Sequence, residues 1–182
     1  MTKNILVLHA SPRVEGNSHT LAEMFIAGAE AAGHQINRVN IGKAHISPCT
    51  ACEYCRRNDH ICLHNDDMTN IYPALKGADC VALVSPLYFY GFPAQLKAVM
   101  DRLYAFGPDY DFIRGKECVL LMTAADTAPE AFDGALKTYE QALLEYLGWE
   151  DRGALLVPGV NAAGDIKDSP ALAEAYRLGF AI

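Results

Sequence analysis

The chain has 182 residues, 51% of them hydrophobic and 20% charged, which fits one globular domain over residues 1–182 and excludes disordered and fibrous classes. Fifteen Lys and Arg stand against 22 Asp and Glu, a net charge of −7 that argues against nucleic acid or an anionic membrane as main partner. No apolar run approaches the roughly 18 residues of a membrane span, and Ile5–Leu8 is too short for the core of a signal peptide. With six cysteines too sparse for a disulfide scaffold, the expected compartment is the cytoplasm.

Short apolar runs alternate with segments of helical period. Lys3–Leu8 reads as a buried strand. Leu21, Met24, Phe25, Gly28 and Ala32 then recur at helical spacing, with Gly33 as the stop. Gln35–Asn40 alternates like a strand, Asp66–Lys76 reads as a helix, and Cys80–Val84 is a fully apolar strand. Leu96, Val99, Met100 and Leu103 mark a third helix, with Arg102 and Lys97 on its solvated face. Cys118–Met122 is the fourth strand. Phe132, Leu136, Tyr139, Leu143 and Leu147 mark the next helix, Ala154–Val157 a last strand and Ala171–Phe180 a last helix. Strands alternating with helices imply right-handed crossovers and a parallel sheet covered on both faces. In such a sheet a ligand lies beyond the carboxyl ends of the strands, so the informative segments are Ala10–Thr20, Ser85–Pro93 and Thr123–Pro129.

The first of these, A-S-P-R-V-E-G-N-S-H-T, leads into a helix. Its hydroxyls, the Asn17 amide, the Arg13 cation and the free N–H groups of a helix start favour a bound phosphate, although a polar capping loop has the same composition. It lacks the Gly-Lys-Ser/Thr of a Walker loop and all but one glycine of the dinucleotide fingerprint. The second, S-P-L-Y-F-Y-G-F-P, packs aromatics between prolines and forms an apolar loop suited to a planar cofactor, to the core or to an interface.

Together these segments resemble the flavodoxin-like NAD(P)H-dependent FMN reductase family, over essentially the whole chain. S-P-R-x-x-G-N-S is similar to that family's FMN-phosphate loop, with Ala10 where relatives often place glycine. S-P-L-Y-F-Y-G-F-P-A-Q-L-K-A-V-M-D-R is similar to its flavin-ring loop and the helix after it. C-T-A-C-E-Y-C…C-L-H-N-D-D-M resembles the cysteine-bearing branch that includes iron–sulfur flavoproteins. The resemblance implies an α/β three-layer sandwich with a five-stranded parallel sheet in the order 2-1-3-4-5. It implies that Ser11, Arg13, Asn17, Ser18 and Thr20 hold the FMN phosphate. It sets Pro86, Leu87, Tyr88 and Phe89 along the isoalloxazine and Thr123, Ala124, Ala125 and Asp126 at its other edge. Asp126 is equally explained as a helix cap, and Asp66 and Asp67 as helix-start charges favoured by the dipole. The histidines show no metal-binding spacing.

The activity this implies is an FMN-dependent oxidoreductase that accepts a hydride from NAD(P)H and passes electrons to a small-molecule acceptor such as a quinone or free flavin. The flavin carries the chemistry, so no side chain is assigned as catalytic. The alternative is an iron–sulfur flavoprotein exchanging single electrons with a ferredoxin-like partner. A receiver-type signalling domain shares the strand order but needs an acidic pair where this chain has His9 and Ala10.

Cys49, Cys52, Cys55 and Cys62 form the compact run C-x-x-C-x-x-C…C, a spacing used for [4Fe–4S] clusters. Zinc suits separated pairs better, and free, redox-sensitive or disulfide-forming thiols are as open a reading as the cluster. Cys80 and Cys118 sit in apolar strands as small core residues. Tyr90, Phe92, Leu103, Tyr104, Phe106 and Tyr110 exceed what one flavin ring needs, which predicts a homodimer or higher homo-oligomer with the flavin near the boundary.

Overall fold

The computed structural model describes residues 1–107 and 112–182. Five parallel strands, β1 (Asn4–His9), β2 (Gln35–Asn40), β3 (Cys80–Pro86), β4 (Glu117–Thr123) and β5 (Glu150–Val157), form one sheet in the order β2-β1-β3-β4-β5. Helices α1 (Asn17–Ala31), α2 (Met68–Gly77), α3 (Ala94–Arg102), α4 (Asp133–Tyr139) and α5 (Ala171–Phe180) connect and cover it. This is the expected α/β sandwich. Three elements differ most from expectation. β5 begins at Glu150, four residues before the expected Ala154. α2 begins at Met68, which leaves Asp66 in the preceding loop. The helix expected to run from Phe132 to Leu147 passes into a π-helical segment, Glu140–Tyr146.

Alternation along the central strands builds two cores. Leu6, Leu8, Val81, Leu83, Leu120 and Met122 face α2, α3 and α4. Ile5, Val7, Ala82, Val84, Val119 and Leu121 face α1 and α5. Those two helices pack backbone to backbone. A Cβ on Gly28 would lie 2.0 Å from Tyr176 O, and one on Gly179 would lie 2.0 Å from Phe25 O. At the end of α1, Gly33 takes φ +87° and donates its N–H to Glu30 O, as its position predicts. Cys80 and Cys118 are fully buried small residues, and burial pushes both thiols up to about 12.

His9 ends β1 under the first turn of α1, 8% exposed, and its Nε2 has no partner among the described residues. Its ring meets that of His19 edge-on at 5.4 Å, Arg38 lies nearby, and Glu23 faces both through its bonds to His19 and Arg38. Burial, and then the His19 and Arg38 charges, lower the His9 pKa from 6.5 to about 4. Below pH ~6.5 the unfolded chain therefore takes a proton that the folded chain refuses. Stability is full above that pH and falls by about 3 kcal/mol as pH drops to about 4. Urea melts of wild type and His9→Gln across this window should converge toward low pH; parallel curves would contradict the assignment.

Candidate functional site

The loops leaving β1, β3, β4 and β5 meet beyond the carboxyl edge of the sheet, around a cleft open to solvent. Its wall carries Ser11, Arg13, Asn17 and Ser18 from the first loop, Pro86, Leu87 and Tyr88 from the second, and Thr123 and Ala125 from the third. Ser11 and Ser18 are buried, and Ser11 Oγ accepts the Arg13 backbone N–H at 3.2 Å. In α1 the N–H groups of His19 and Thr20 already point at Gly16 O. Those of Asn17 and Ser18 precede the first helical acceptor and are the groups a helix start offers to an anion. A hydroxyl-lined, cation-rimmed helix start fits a phosphate, and the apolar wall opposite fits a planar ring.

Four of the expected residues stand elsewhere or do other work. Thr20 turns its hydroxyl back to Gly16 O at 3.5 Å. Ala124 is buried behind the cleft, donating its N–H to Val157 O. Asp126 is exposed and accepts the Ala128 N–H at 2.9 Å, an Asx turn ahead of the helical turn at Pro129–Phe132 and not a cap on it. Phe89 is wholly exposed at a hairpin tip, where Tyr88 and Gly91 exchange backbone hydrogen bonds and Phe89 and Tyr90 take φ of +46° and +61°. Two non-glycine residues at positive φ store strain, which persists where surrounding contacts hold it and clusters at ligand clamps. One such contact is Gly134 in α4, where a Cβ would lie 2.6 Å from Tyr90 O.

Three features of the cleft carry no local sequence signal. Val160 and Asn161, from the loop after β5, complete the wall, and Asn161 O accepts from Arg13 Nη1 at 3.1 Å. Asn17 is held at both ends of its amide, donating to Ala162 O at 2.9 Å and accepting the Ile166 N–H at 3.3 Å. It ties that distant loop to α1 as well as lining the cleft. Gly42 lies against the phosphate loop so closely that a Cβ would sit 2.3 Å from Ser11 C and O. Gly42→Ala must therefore move Ser11 and Pro12. FMN affinity measured by fluorescence titration should fall about tenfold or more, since misplaced donors forfeit charge-assisted bonds of about 1.5–3 kcal/mol. Unchanged affinity would show that the loop yields freely.

The cysteine segment lies in the loop between β2 and α2. Cys49, Cys52, Cys55 and Cys62 all line one narrow apolar recess, with His64, Arg102 and Tyr104. Cys49 and Cys52 are exposed, Cys62 is half-buried, and Cys55 is buried at the start of a tight turn, Cys55–Arg57. Burial raises the Cys55 thiol pKa, with Cys62 and Cys52 adding to it. Ala51, Glu53, Asp59 and His60 all take positive φ, so this loop too is strained. Tyr104 donates to Glu53 at 2.7 Å, and Arg56 lies over the Tyr104 ring at 4.8 Å, pinning the segment to the turn after α3. His64 Nε2 is buried in this region with no hydrogen-bond partner among the described residues. Also among the described residues, no three His, Cys, Asp or Glu converge tightly enough for one metal ion. The donor set of four thiols around one recess fits a multi-iron cluster, which spreads its thiolates, better than it fits zinc.

Arg102 corrects the sequence reading. It is 1% exposed and not on a solvated face, whereas Lys97 is exposed and pairs with Asp101 at 2.6 Å. Its partner is Asp66, at 2.7 Å. Burial alone would raise the Asp66 pKa, but hydrogen bonds from Arg102 and from the Ser47 and Met68 N–H groups hold it below the usual carboxylate range. Asp67 takes the His45 N–H. The expected aromatic patch also changes: Leu103 and Phe106 pack into the core, Phe92 and Tyr104 are half-buried, and Tyr110 lies outside the described residues. The exposed aromatics at this edge are Tyr88, Phe89 and Tyr90.

Comparison with known proteins places this geometry. An iron–sulfur flavoprotein of Archaeoglobus fulgidus is 35% identical over 67% of this chain, and the match spans 62% of that relative's length. An FMN-dependent NADH:quinone oxidoreductase of Alteromonas mediterranea is 27% identical over 95% of this chain and 94% of its own. Among solved structures, an NAD(P)H:quinone oxidoreductase from Methanothermobacter marburgensis superposes with a TM-score of 0.78 at 20% identity, covering 99% of this chain and 96% of that one. That likeness establishes the shared fold. The model of the NADPH-dependent FMN reductase family matches residues 3–138, which hold the phosphate loop, the cysteine segment and the aromatic hairpin. The chain belongs to the NADPH-dependent FMN reductase family.

Proposed function

We propose that the chain is an FMN-dependent oxidoreductase that takes a hydride from NAD(P)H and delivers electrons to a small acceptor such as a quinone. The observation that carries this reading is the meeting of the phosphate loop, the aromatic hairpin and the Thr123 edge in one cleft. When bound, FMN supplies the hydride-accepting and electron-donating chemistry. The chain's own groups bind, orient and shield it. Ser11, Ser18, the N–H groups of Asn17 and Ser18 and the Arg13 cation would hold the phosphate. Leu87 and Tyr88 offer apolar surface along the ring, and Leu87 N–H is anchored on Thr123 O at 2.8 Å, which fixes that wall. Exposed Tyr88, Phe89 and Tyr90 form a patch at the cleft mouth that supports a homodimer with the flavin near the boundary. The net negative charge and the expected cytoplasmic location suit a soluble acceptor.

A second reading, an iron–sulfur flavoprotein working by single electrons with a ferredoxin-like protein, is favoured by the four cysteines around one recess and by the likeness to the iron–sulfur flavoprotein of Archaeoglobus fulgidus. In it Cys49, Cys52, Cys55 and Cys62 would hold a [4Fe–4S] cluster. Anaerobic stopped-flow mixing separates the two. Bleaching of bound flavin by NADH or NADPH, followed by reoxidation with a quinone, supports the first. Flavin that resists both nucleotides but is reduced by ferredoxin supports the second and overturns the first.

A further inference from the structure

Between Ile41 and Met68 the chain has little regular structure, yet both arms of this loop are fastened to one buried group. Arg102, the last residue of α3, donates from Nη1 to Ser47 O at 2.8 Å and to Asp66 Oδ2 at 2.7 Å. It also donates from Nη2 to Asp66 Oδ1 at 3.3 Å and from Nε to the Tyr72 hydroxyl at 3.3 Å. Ser47 lies just before the first cysteine of the run and Asp66 just after the last. A planar fork held by this many acceptors has one orientation, which lysine could not reproduce.

The two partners are placed differently. Arg102 lines the recess with the four cysteines, whereas its partner Asp66 is absent from that lining. The Arg102 cation therefore belongs to the wall around the four cysteines, while its carboxylate partner does not. Four thiolates around iron carry net negative charge, which grows by one when an electron is added. A fixed cation at this place stabilises the reduced form more than the oxidised one.

We infer that Arg102, backed by Asp66, is a positioning residue of the cysteine site: it clasps the two arms of the loop and presents a cation that raises the reduction potential of an iron–sulfur cluster held there. The inference rests on the cluster reading of Cys49, Cys52, Cys55 and Cys62. No group in it changes protonation, and the electron that reduces the cluster comes from dithionite in the test.

The full chain is reconstituted anaerobically with iron and sulfide and then titrated with dithionite under electron paramagnetic resonance, in three forms: wild type, Arg102→Lys, and Arg102→Gln with Asp66→Asn. The double variant keeps hydrogen-bonding groups and removes both charges. Its cluster should be reduced at a lower potential than wild type and should lose iron to a chelator about tenfold more readily. Arg102→Lys keeps the charge without the fork, so its potential should stay near wild type while iron loss again quickens. A double variant with the wild-type potential overturns the electrostatic role, and Arg102→Lys with wild-type iron retention overturns the clasp. A merely structural residue would lower the melting temperature and FMN affinity together with iron content, leaving the potential of the loaded fraction unmoved; that result also overturns the inference. Wild type that takes up no iron after reconstitution overturns the cluster reading itself, and this inference with it.

Discussion

Arg102→Ala is expected to lower the unfolding free energy by about 3–5 kcal/mol, the usual cost of removing one partner of a buried ion pair. The loss is large because Asp66, with a side chain 4% exposed, would keep its charge without its guanidinium. Ser47 O and the Tyr72 hydroxyl would lose a donor in the same step. Tyr72 itself is held by the same network, since burial raises its hydroxyl pKa to about 12 against the opposing pull of Arg102. The loss should have a pH signature. The depressed Asp66 pKa contributes stability above its unfolded value that is lost as pH falls through the folded one. Arg102→Ala should flatten the acid limb of the wild-type stability curve. Urea unfolding at neutral and acidic pH measures both effects, and a loss under about 1 kcal/mol would place the pair in solvent.

Gly28→Ala is expected to cost about 3 kcal/mol, because α1 and α5 must part before a methyl group can enter. A Cβ there would lie 2.0 Å from Tyr176 O and 2.9 Å from Tyr176 C, atoms of a helix backbone that no rotamer change can move. The reciprocal contact of Gly179 with Phe25 O makes the crossing tight from both sides. The competing effect has the opposite sign. Alanine in a helix interior is favoured over glycine by about 1 kcal/mol, so a helix pair free to separate would gain stability. The midpoint of urea unfolding therefore decides by its direction: a fall shows that close packing governs, and a rise shows that it does not.

The legible parts of this fold are those set by local pattern. Cys80–Val84 and Cys118–Met122 read as strands because a central parallel strand is buried on both faces and has no polar side to show. The start of β5 was missed because Glu150, Asp151 and Arg152 are polar residues at a sheet edge, where pairing with β4 overrides composition. The cleft divides along the same line. Ser11, Arg13, Ser18, Leu87 and Tyr88 lie in continuous motifs and do line it. Val160 and Asn161 join through a loop after β5, and the role of Gly42 exists only through its contact with Ser11. Arg102 was misread because a charge on an amphipathic helix is normally solvated, and its burial depends on Asp66, 36 positions away in sequence. The turn at Phe89 and Tyr90 defied its residue types, since aromatic side chains give no sign of positive φ.

The cleft between the phosphate loop and the aromatic hairpin is expected to hold FMN. Equilibrium titration of flavin-free chain with FMN, followed by flavin fluorescence, tests it directly. The expected result is a saturating change at one FMN per chain that inorganic phosphate competes away and that Gly42→Ala weakens. No saturable change in the wild-type chain would contradict it.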